Sequence, residues 1–461
     1  MIGNAKNFYF AQLTDIHIGT SPKPEDANRL LRWALSELDS FDPKPEILLR
    51  TGDSVCNGTR GELLEFRQLM DSCSIPFAAL PANHDLWGEK DNSAWLEIVG
   101  PMRKSVTLGN FKFLLWNDIK RTENGWKSIF TNDDFAWLKT ELDGAEARNL
   151  NVIAAVHNPP DCRNKYDSNC SRWSNEDTER LLNLLAQYPV KALISGDYHT
   201  NDRWFRNGVL NLNSASLAGM IWNGLEDFPV KPGYRLYHWD GETLRTFWRE
   251  GSYWTLEPYT EERQKYCAGI PLYHFRHAGN LCWPVMHYER AQISLKQIGG
   301  CWTGGPRPIV RTMYICDRTV LHADVFSQFF DLADVSWSLM ENDWRPMKKV
   351  WNGLWSEWQA EFDPDEFRNG EYLLKVRVLP EDGSRGFFDA VPVRLCGPRL
   401  APKDNCAVFA GSMQANFTLR TPFDGGISCF RNLNMMFWSA APAWAELPPR
   451  PPRLKTVSPS A

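Results

Sequence analysis

Six short apolar runs mark the first two hundred residues: Phe8 to Leu13, Ile47 to Arg50, Phe77 to Leu80, Phe111 to Trp116, Val152 to Val156 and Ala192 to Ser195. Each is bounded by polar or turn residues, the pattern of largely buried strands. Between them, Glu25 to Leu38, Gly61 to Asp71, Asp133 to Arg148 and Ser174 to Gln187 repeat apolar residues at helical spacing. Ser174 followed by Asp177 predicts a capped start for the last of these. Alternation of strand and helix makes this an α/β region. Strand signals then continue without helices through Gly208 to Asn213, Tyr234 to Trp239 and Thr243 to Trp248, so the sheet is expected to end in an antiparallel or mixed layer. The first domain is expected to span residues 1–255.

Residues 256–310 carry Pro258, Pro271, Pro284, Pro306 and Pro308 and the glycines Gly299, Gly300, Gly304 and Gly305, which predicts a linker or insert with little regular structure. From 311 to 397 the rhythm changes to short alternating runs such as Tyr372 to Val378 and Ala390 to Leu395, the signature of a small all-β sandwich. Residues 398–461 read as an irregular or flexible tail ending in the Pro-rich basic segment Leu447 to Lys455. Tryptophans recur at Trp337, Trp344, Trp351, Trp355 and Trp358. They suit either a stacking platform for sugars or bases, or a sandwich core that also packs on the first domain. The second reading is preferred because Trp is buried on average. A coiled coil is excluded by Pro346 and Gly353.

Composition narrows the function classes. The 461 residues are 43% hydrophobic and 23% charged, which excludes a disordered or fibrous chain. A formal net charge of −5 gives no argument for specific nucleic-acid binding, whereas an acidic excess suits a protein that gathers cations. No apolar run approaches the roughly 20 residues that span a bilayer, so membrane insertion is not expected. The start of the chain lacks the pattern of a signal peptide. Eleven cysteines without a CxxC pair predict free thiols, Cys162 and Cys170 included, and a reducing, cytoplasmic setting.

Candidate chemistry collects where the predicted strands end. Asp15 and His17 follow the first strand, Asp53 the second, and Asn83, His84 and Asp85 the third. His157 follows the fifth, while Asp197 and His199 follow the sixth. Ligands converge at the carboxyl ends of strands in open α/β sheets, so these side chains can share one pocket. Imidazole and carboxylate together suit Zn, Mn or Fe, and a carboxylate such as Asp53 can bridge two ions. A pair of ions about 3.5–4 Å apart can activate a water and stabilise both oxygens of an in-line displacement at phosphorus. A histidine that is not a ligand, His84 with Asp85 beside it, can protonate the leaving oxygen. Singly, each block is an ordinary turn or cap; jointly, chance placement of all five is improbable. His238, His274, His277, His287 and His322 lack such company and are read as structural, while Arg163, Lys165 and Arg172 are either substrate contacts or a solvated loop face.

The blocks Asp15-Ile16-His17, Gly52-Asp53, Ala82-Asn83-His84-Asp85, His157 and Gly196-Asp197-Tyr198-His199 resemble, in the same order, the motifs of the calcineurin-like metallophosphoesterases over about residues 8 to 249. The resemblance implies a four-layer α-β-β-α sandwich, followed here by a small all-β sandwich similar to the immunoglobulin-like domain of longer bacterial members. It also implies two divalent transition-metal ions (Mn, Fe or Zn), with Asp15, His17 and His199 on the first, Asn83, His157 and the residue at Asp197 on the second, and Asp53 bridging. His84 would be catalytic. The implied activity is hydrolysis of a phosphate ester, a diester in preference to a monoester, by a metal-bound hydroxide. The alternatives are a phosphomonoesterase and an impaired relative that acts as a binding or scaffold protein.

Two residues depart from the family pattern. Ala82 replaces a glycine, a change expected to be tolerated. Asp197 replaces the first histidine of the last block, and a shorter, harder, anionic ligand is expected to shift metal preference and to disfavour a dianionic monoester.

Overall fold

A computed structural model of the chain describes residues 7–19, 24–88, 91–123, 125–160, 173–199, 201–218, 232–250, 292–295, 313–315, 318–326, 331–340, 342–381 and 387–395. Its first part is built from two sheets and the helices that cover them. The first sheet contains β1 (Phe8–Leu13), β2 (Leu48–Thr51) and β3 (Phe77–Leu80), which run parallel, with β12 (Gly233–Trp239) and β13 (Leu244–Glu250) added antiparallel. Its order is β13-β12-β1-β2-β3. The second sheet has the order β10-β11-β9-β8-β5-β4, where β4 is Arg103–Leu108, β5 Phe111–Trp116, β8 Asn151–Ala155, β9 Val190–Ser195, β10 Asp202–Arg206 and β11 Val209–Asn213. Its four inner strands are parallel. The outermost pairs on either side are antiparallel.

The residues of β1 show why the layers stack. Successive strand side chains point to opposite faces. Phe8 and Phe10 enter the core between the sheets, with Phe111 and Phe113 of β5 and Ile153 of β8. Tyr9, Ala11 and Leu13 face the other way, into a core with Leu30, Leu31, Leu35 and Leu38 of helix α1 (Pro24–Ser40) and Phe66 of α2 (Arg60–Asp71). Both faces are covered, so the strand reads as a continuous apolar run. On the far side, Leu114, Val152 and Ala154 pack beneath Leu138 and Leu142 of α4 (Asn132–Ala147) and Leu181 and Leu185 of α5 (Asn175–Leu185). The expected α-β-β-α order of layers is present. Ser174 caps α5 by accepting from the Asp177 amide, as its spacing predicts. The strands that sequence reading missed are β4, β10 and the hairpin β6 (Ile119–Thr122) and β7 (Gly125–Ser128). The side chains of β4 are partly exposed at a sheet edge, so the strand lacks an apolar run.

The second part is all-β. Strands β16 (Thr319–Phe326), β20 (Ser356–Phe362), β17 (Leu332–Ser338) and β21 (Gly370–Pro380) enclose Leu321, Val325, Val335, Trp337, Val376 and Val378. The linker expected over 256–310 is interrupted by β14 (Gln292–Leu295), whose backbone pairs antiparallel with β16. The rest of that stretch, apart from β14, and the tail 398–461 lie outside the described residues, as do Cys162, Cys170, Arg163, Lys165, Arg172, His274, His277 and His287. Trp337, Trp355 and Trp358 are buried, in line with the core reading of the tryptophans. His238 is buried against Tyr9 and Trp351, and His322 bonds Gln359, both structural positions.

The two parts share a core. Phe326, Leu354 and Trp355 join the cluster around α1, where Phe247 of β13 stacks on Trp355 (centroids 5.5 Å) and Phe41 meets Phe326. The guanidinium of Arg249 lies 4.2 Å from the Phe326 ring centroid and pairs with Glu37 at 2.7 Å. Truncating Trp355 leaves a cavity the size of an indole in this shared core. Trp355→Ala is therefore expected to lower stability by about 3–5 kcal/mol, read as a shift in the urea unfolding midpoint. No helix among the described residues is long and apolar enough to cross a membrane.

Candidate metal centre

The turns that leave β1, β2, β3, β8 and β9 meet at one end of the two sheets. Gln12 ties the sheets together just beneath them, donating to Thr51 Oγ1 (2.9 Å) and to the Ser195 carbonyl (3.0 Å). The parallel ladder of β1 and β2 runs on into the turns, where the Asp15 amide donates to the Gly52 carbonyl and the His17 amide to the Asp53 carbonyl, both at 3.1 Å. Asp15, His17, Asp53, Asp197 and His199 all have positive φ, between 48° and 66°. The other such non-glycine residues among those described are three asparagines, so left-handed backbone concentrates at this site. Asp, Asn and His tolerate that region best, and strained backbone of this kind gathers where geometry serves function. Gly52 and Gly196 make the close approach possible. A Cβ on Gly52 would lie 2.5 Å from His157 Nδ1, and one on Gly196 would lie 2.5 Å from Asp15 Oδ2.

Two sets of ligand atoms result. Asp15 Oδ2 is held by the Thr14 hydroxyl (2.6 Å) and the Asp197 amide (3.2 Å), which leaves Oδ1 facing His199 Nε2 at 3.2 Å and His17 Nε2 at 4.0 Å. His17 Nε2 and His199 Nε2 are 3.3 Å apart. That equals the separation of two nitrogens on one ion when each bond is about 2.0–2.1 Å at a tetrahedral angle. In the second set, Asp53 Oδ2 lies 3.3 Å from His157 Nε2, and Asp197 Oδ1 lies 3.5 Å from the same nitrogen. Asp53 Oδ2 is also 3.9 Å from His17 Nε2, so one carboxylate oxygen faces both sets. His157 Nδ1 is 2.7 Å from the Thr51 carbonyl, which makes it the donor and aims Nε2 inward.

Residues 8–201 match the family profile described as calcineurin-like phosphoesterase. A 3′,5′-cyclic-nucleotide phosphodiesterase of Nostoc sp. is 30% identical over 237 residues, 49% of this chain and 85% of that protein. The chain belongs to the calcineurin-like phosphoesterase family. A probable glycerophosphodiester phosphodiesterase of Arcobacter nitrofigilis is 25% identical over 249 residues, covering 50% of this chain and 88% of the relative. A 3′,5′-cyclic adenosine monophosphate phosphodiesterase of Pseudomonas aeruginosa is 25% identical over 241 residues, 49% of this chain and 82% of the relative. This calcineurin-like phosphoesterase is accordingly a metal-dependent hydrolase of phosphoric ester bonds.

The residues present fit metal ions. Asp15 Oδ1, Asn83 Oδ1 and His157 Nε2 are buried and make no hydrogen bond, which is costly for polar atoms unless another partner takes them. Asp15, His17 and His199, and again Asp15, Asp53 and His157, bring ligand atoms within 4.8 Å of one another. Burial pushes His17 down to about 3 despite the pull of Asp53, which keeps the ring in its neutral, ligating form. Burial alone would raise Asp53, but His157, His84 and His17 hold its carboxyl far below the usual range, and Asp15 is lowered in the same way by His199 and His157. Around His157 the balance reverses: burial is outweighed by Asp53, Asp197 and Asp15, which raise it well above an ordinary histidine. Such a concentration of negative charge is what divalent cations offset.

The expected pairing of Asp85 with His84 gives way to a different arrangement. Asp85 accepts from the amides of Ser54 (2.8 Å), Val55 (3.0 Å) and Ala82 (2.9 Å), so it ties the turn after β3 to the turn after β2. His84 Nδ1 instead lies 2.6 Å from the Cys56 carbonyl, while the His84 amide donates to Asp53 Oδ1 at 3.1 Å. A backbone carbonyl thus sets the tautomer, and Asp85 positions backbone. Burial, with repulsion from Asp53, lifts Asp85 to about 7 in spite of its three amide donors. Ala82 does not take a left-handed conformation, so its methyl is accommodated.

Three supporting residues escaped sequence reading. Asp118 accepts from the amides of His157 (2.8 Å) and Asn158 (3.4 Å) and so shapes the turn after β8. Asn158 is buried, and in the amide orientation that its neighbours require it donates to both carboxylate oxygens of Asp197, at 3.0 and 3.1 Å. Arg50, fully buried below the site, places its guanidinium near the ring of Phe66 and offsets Asp85. Arg50 and Asn158 lie beside motif residues, but nothing in the spacing marks them, and Asp118 lies in no motif at all.

Proposed function

We propose that this phosphoesterase hydrolyses phosphodiesters at a centre of two divalent transition-metal ions. Asp15, His17 and His199 would hold the first ion, Asn83, His157 and Asp197 the second, and Asp53 would bridge them. The observation that carries the reading is the placement of Asp53 Oδ2 between His17 Nε2 and His157 Nε2. Bound there, the ions supply a nucleophile from water at neutral pH and neutralise charge on the phosphoryl oxygens. The chain's own groups do the rest. Asp15 and Asp53 stay anionic, His17 stays neutral, and Asn158 holds both oxygens of Asp197 in place. His84, with Nδ1 engaged by the Cys56 carbonyl, offers Nε2 to the leaving oxygen. Burial would lower His84, but that hydrogen bond and the pull of Asp53 raise it to about 9 in the metal-free protein.

Asp197 favours a diester over a monoester, because a third carboxylate beside Asp15 and Asp53 repels a dianion more than a monoanion. An oxygen ligand in place of an imidazole also biases the second position toward the harder Mn or Fe over Zn. The eleven cysteines, spaced without a CxxC pair, support a reducing, cytoplasmic setting.

The test is a metal titration of the full chain with Mn²⁺, followed by comparison of bis(p-nitrophenyl) phosphate with p-nitrophenyl phosphate. Two ions per chain and faster turnover of the diester are expected. Asn158→Ala is expected to weaken the second ion by about 10–100-fold while the first stays bound, as for other residues that orient a ligand. A single ion, with no turnover until Asp197→His restores it, would overturn the proposal.

A further inference from the structure

We infer that Cys56, His17 and His84 form an alternative metal site, which captures a thiophilic ion such as Zn²⁺ or Cd²⁺ in competition with the ion proposed for Asp15, His17 and His199. Capture stands on this cluster alone, and only its effect on turnover rests on the diesterase reading. Backbone bonds place the three side chains. The turns after β1 and β2 run on as a ladder, in which the His17 amide donates to the Asp53 carbonyl, the Ile18 amide to the Ser54 carbonyl (3.2 Å) and the Cys56 amide back to the Ile18 carbonyl (2.8 Å). Cys56 is thus fixed alongside His17. On its other side, the Cys56 carbonyl accepts from His84 Nδ1 at 2.6 Å, and a Cβ on Gly58 would lie 2.8 Å from the His84 carbonyl oxygen, so the turns after β2 and β3 are in close contact. The rings of His17 and His84 meet nearly at right angles (88°), with centroids 4.8 Å apart. The Cys56 thiol and one nitrogen from each ring consequently lie within 4.8 Å of one another.

This donor set differs in kind from the other two. They combine imidazole with carboxylate oxygen, whereas a thiolate with two imidazoles selects softer ions, Zn²⁺ well ahead of Mn²⁺. Three protein ligands and an open fourth position suit a tetrahedral ion, with Zn–N bonds of about 2.0–2.1 Å and a Zn–S bond of about 2.3 Å. Competition follows from the lone pairs. A neutral imidazole has one, so His17, which belongs also to the cluster with Asp15 and His199, serves one ion at a time. With Nδ1 donating to the Cys56 carbonyl, the lone pair of His84 is on Nε2, the atom assigned to the leaving oxygen, and an ion there takes the place of the proton. Cys56 is only partly buried, so an ion can reach the thiol from solvent, and ligation releases the thiol proton to water.

A thiol that merely packs in its turn is the rival explanation, and it predicts a different pattern. The experiment titrates the metal-free full chain with Cd²⁺ and reads the sulfur-to-metal charge-transfer absorption, for the unaltered protein, Cys56→Ser and Cys73→Ser. Cys73 lies beyond the far end of α2 and serves as the control. Cys56→Ser is expected to lose the absorption of one Cd–S bond per chain, which Cys73→Ser retains. Loading with Mn²⁺ beforehand is expected to raise the Cd²⁺ needed for half of that signal by about tenfold or more, through competition for His17. With Mn²⁺-loaded protein turning over bis(p-nitrophenyl) phosphate, Zn²⁺ is expected to inhibit the unaltered chain and Cys73→Ser at roughly 100-fold lower concentration than Cys56→Ser, since a lost ligand costs at least as much as a lost supporting residue. A signal that survives in Cys56→Ser, a titration indifferent to Mn²⁺, or equal Zn²⁺ inhibition of all three proteins would overturn the inference. The absorption needs no turnover, so it decides the capture by itself, and a Mn²⁺-loaded unaltered chain without activity would count against the diesterase reading instead.

Discussion

Asp53→Asn is expected to lower kcat/KM for a phosphodiester by about three orders of magnitude, the several kcal/mol that a correctly held metal pair supplies to the transition state. Asparagine is the informative replacement. Asp53 has φ +48°, a conformation that asparagine adopts readily and alanine does not, so the backbone of the turn should survive. Asn can also keep the hydrogen bond that Asp53 Oδ1 accepts from the His84 amide. What it removes is the negative charge on the atom that faces both His17 and His157. Metal analysis of the purified variant, alongside its rate, checks the outcome. Fewer than two ions per chain with an unchanged circular dichroism spectrum is the expected result, and full occupancy with full activity would remove Asp53 from the bridging role.

The second large effect belongs to His84 and depends on the leaving group. His84→Asn is expected to cost about 10²–10⁴-fold on an alkyl diester, whose alkoxide cannot depart without a proton, the range usual for a positioned general acid. On bis(p-nitrophenyl) phosphate the loss should be far smaller, because a stabilised phenolate leaves unprotonated. Plotting rate against leaving-group basicity for the variant and the unaltered protein separates the two cases. A loss of equal size on both substrates would mean that His84 acts elsewhere, for instance on a non-leaving phosphoryl oxygen. The Cys56 carbonyl makes this a clean experiment, since the main chain that orients His84 is untouched by the substitution.

Much of the first part was legible because its information is local. Phe8 to Leu13 reads as a buried strand because both faces meet apolar layers, and the helices announce themselves by period and by caps such as Ser174. The five motif blocks are legible for the same reason: each is a short turn at a strand end in which polar residues stand where solvent or caps would ordinarily explain them. Edge strand β4 and the β6–β7 hairpin were missed because partial exposure leaves no strong hydrophobic signal. The strand inside the expected linker, β14, owes its existence to pairing with β16, a partner more than twenty residues later.

The amino-acid sequence by itself thus determined the layers, the order of the motif blocks and the types of donor atom, since these follow from periodicity and from side-chain chemistry. Only the tertiary structure decided which partner each donor meets. It put Cys56, and not the neighbouring Asp85, on the ring of His84, because hydrogen-bond direction is set by how the turns after β2 and β3 dock. It put the buried amide of Asn158 against Asp197 and the carboxylate of Asp118 on the His157 turn, contacts that cross 39 positions each. It brought the thiol of Cys56 beside the rings of His17 and His84. Contacts between loops of different strands depend on sheet twist, register and packing, which no window of residues contains.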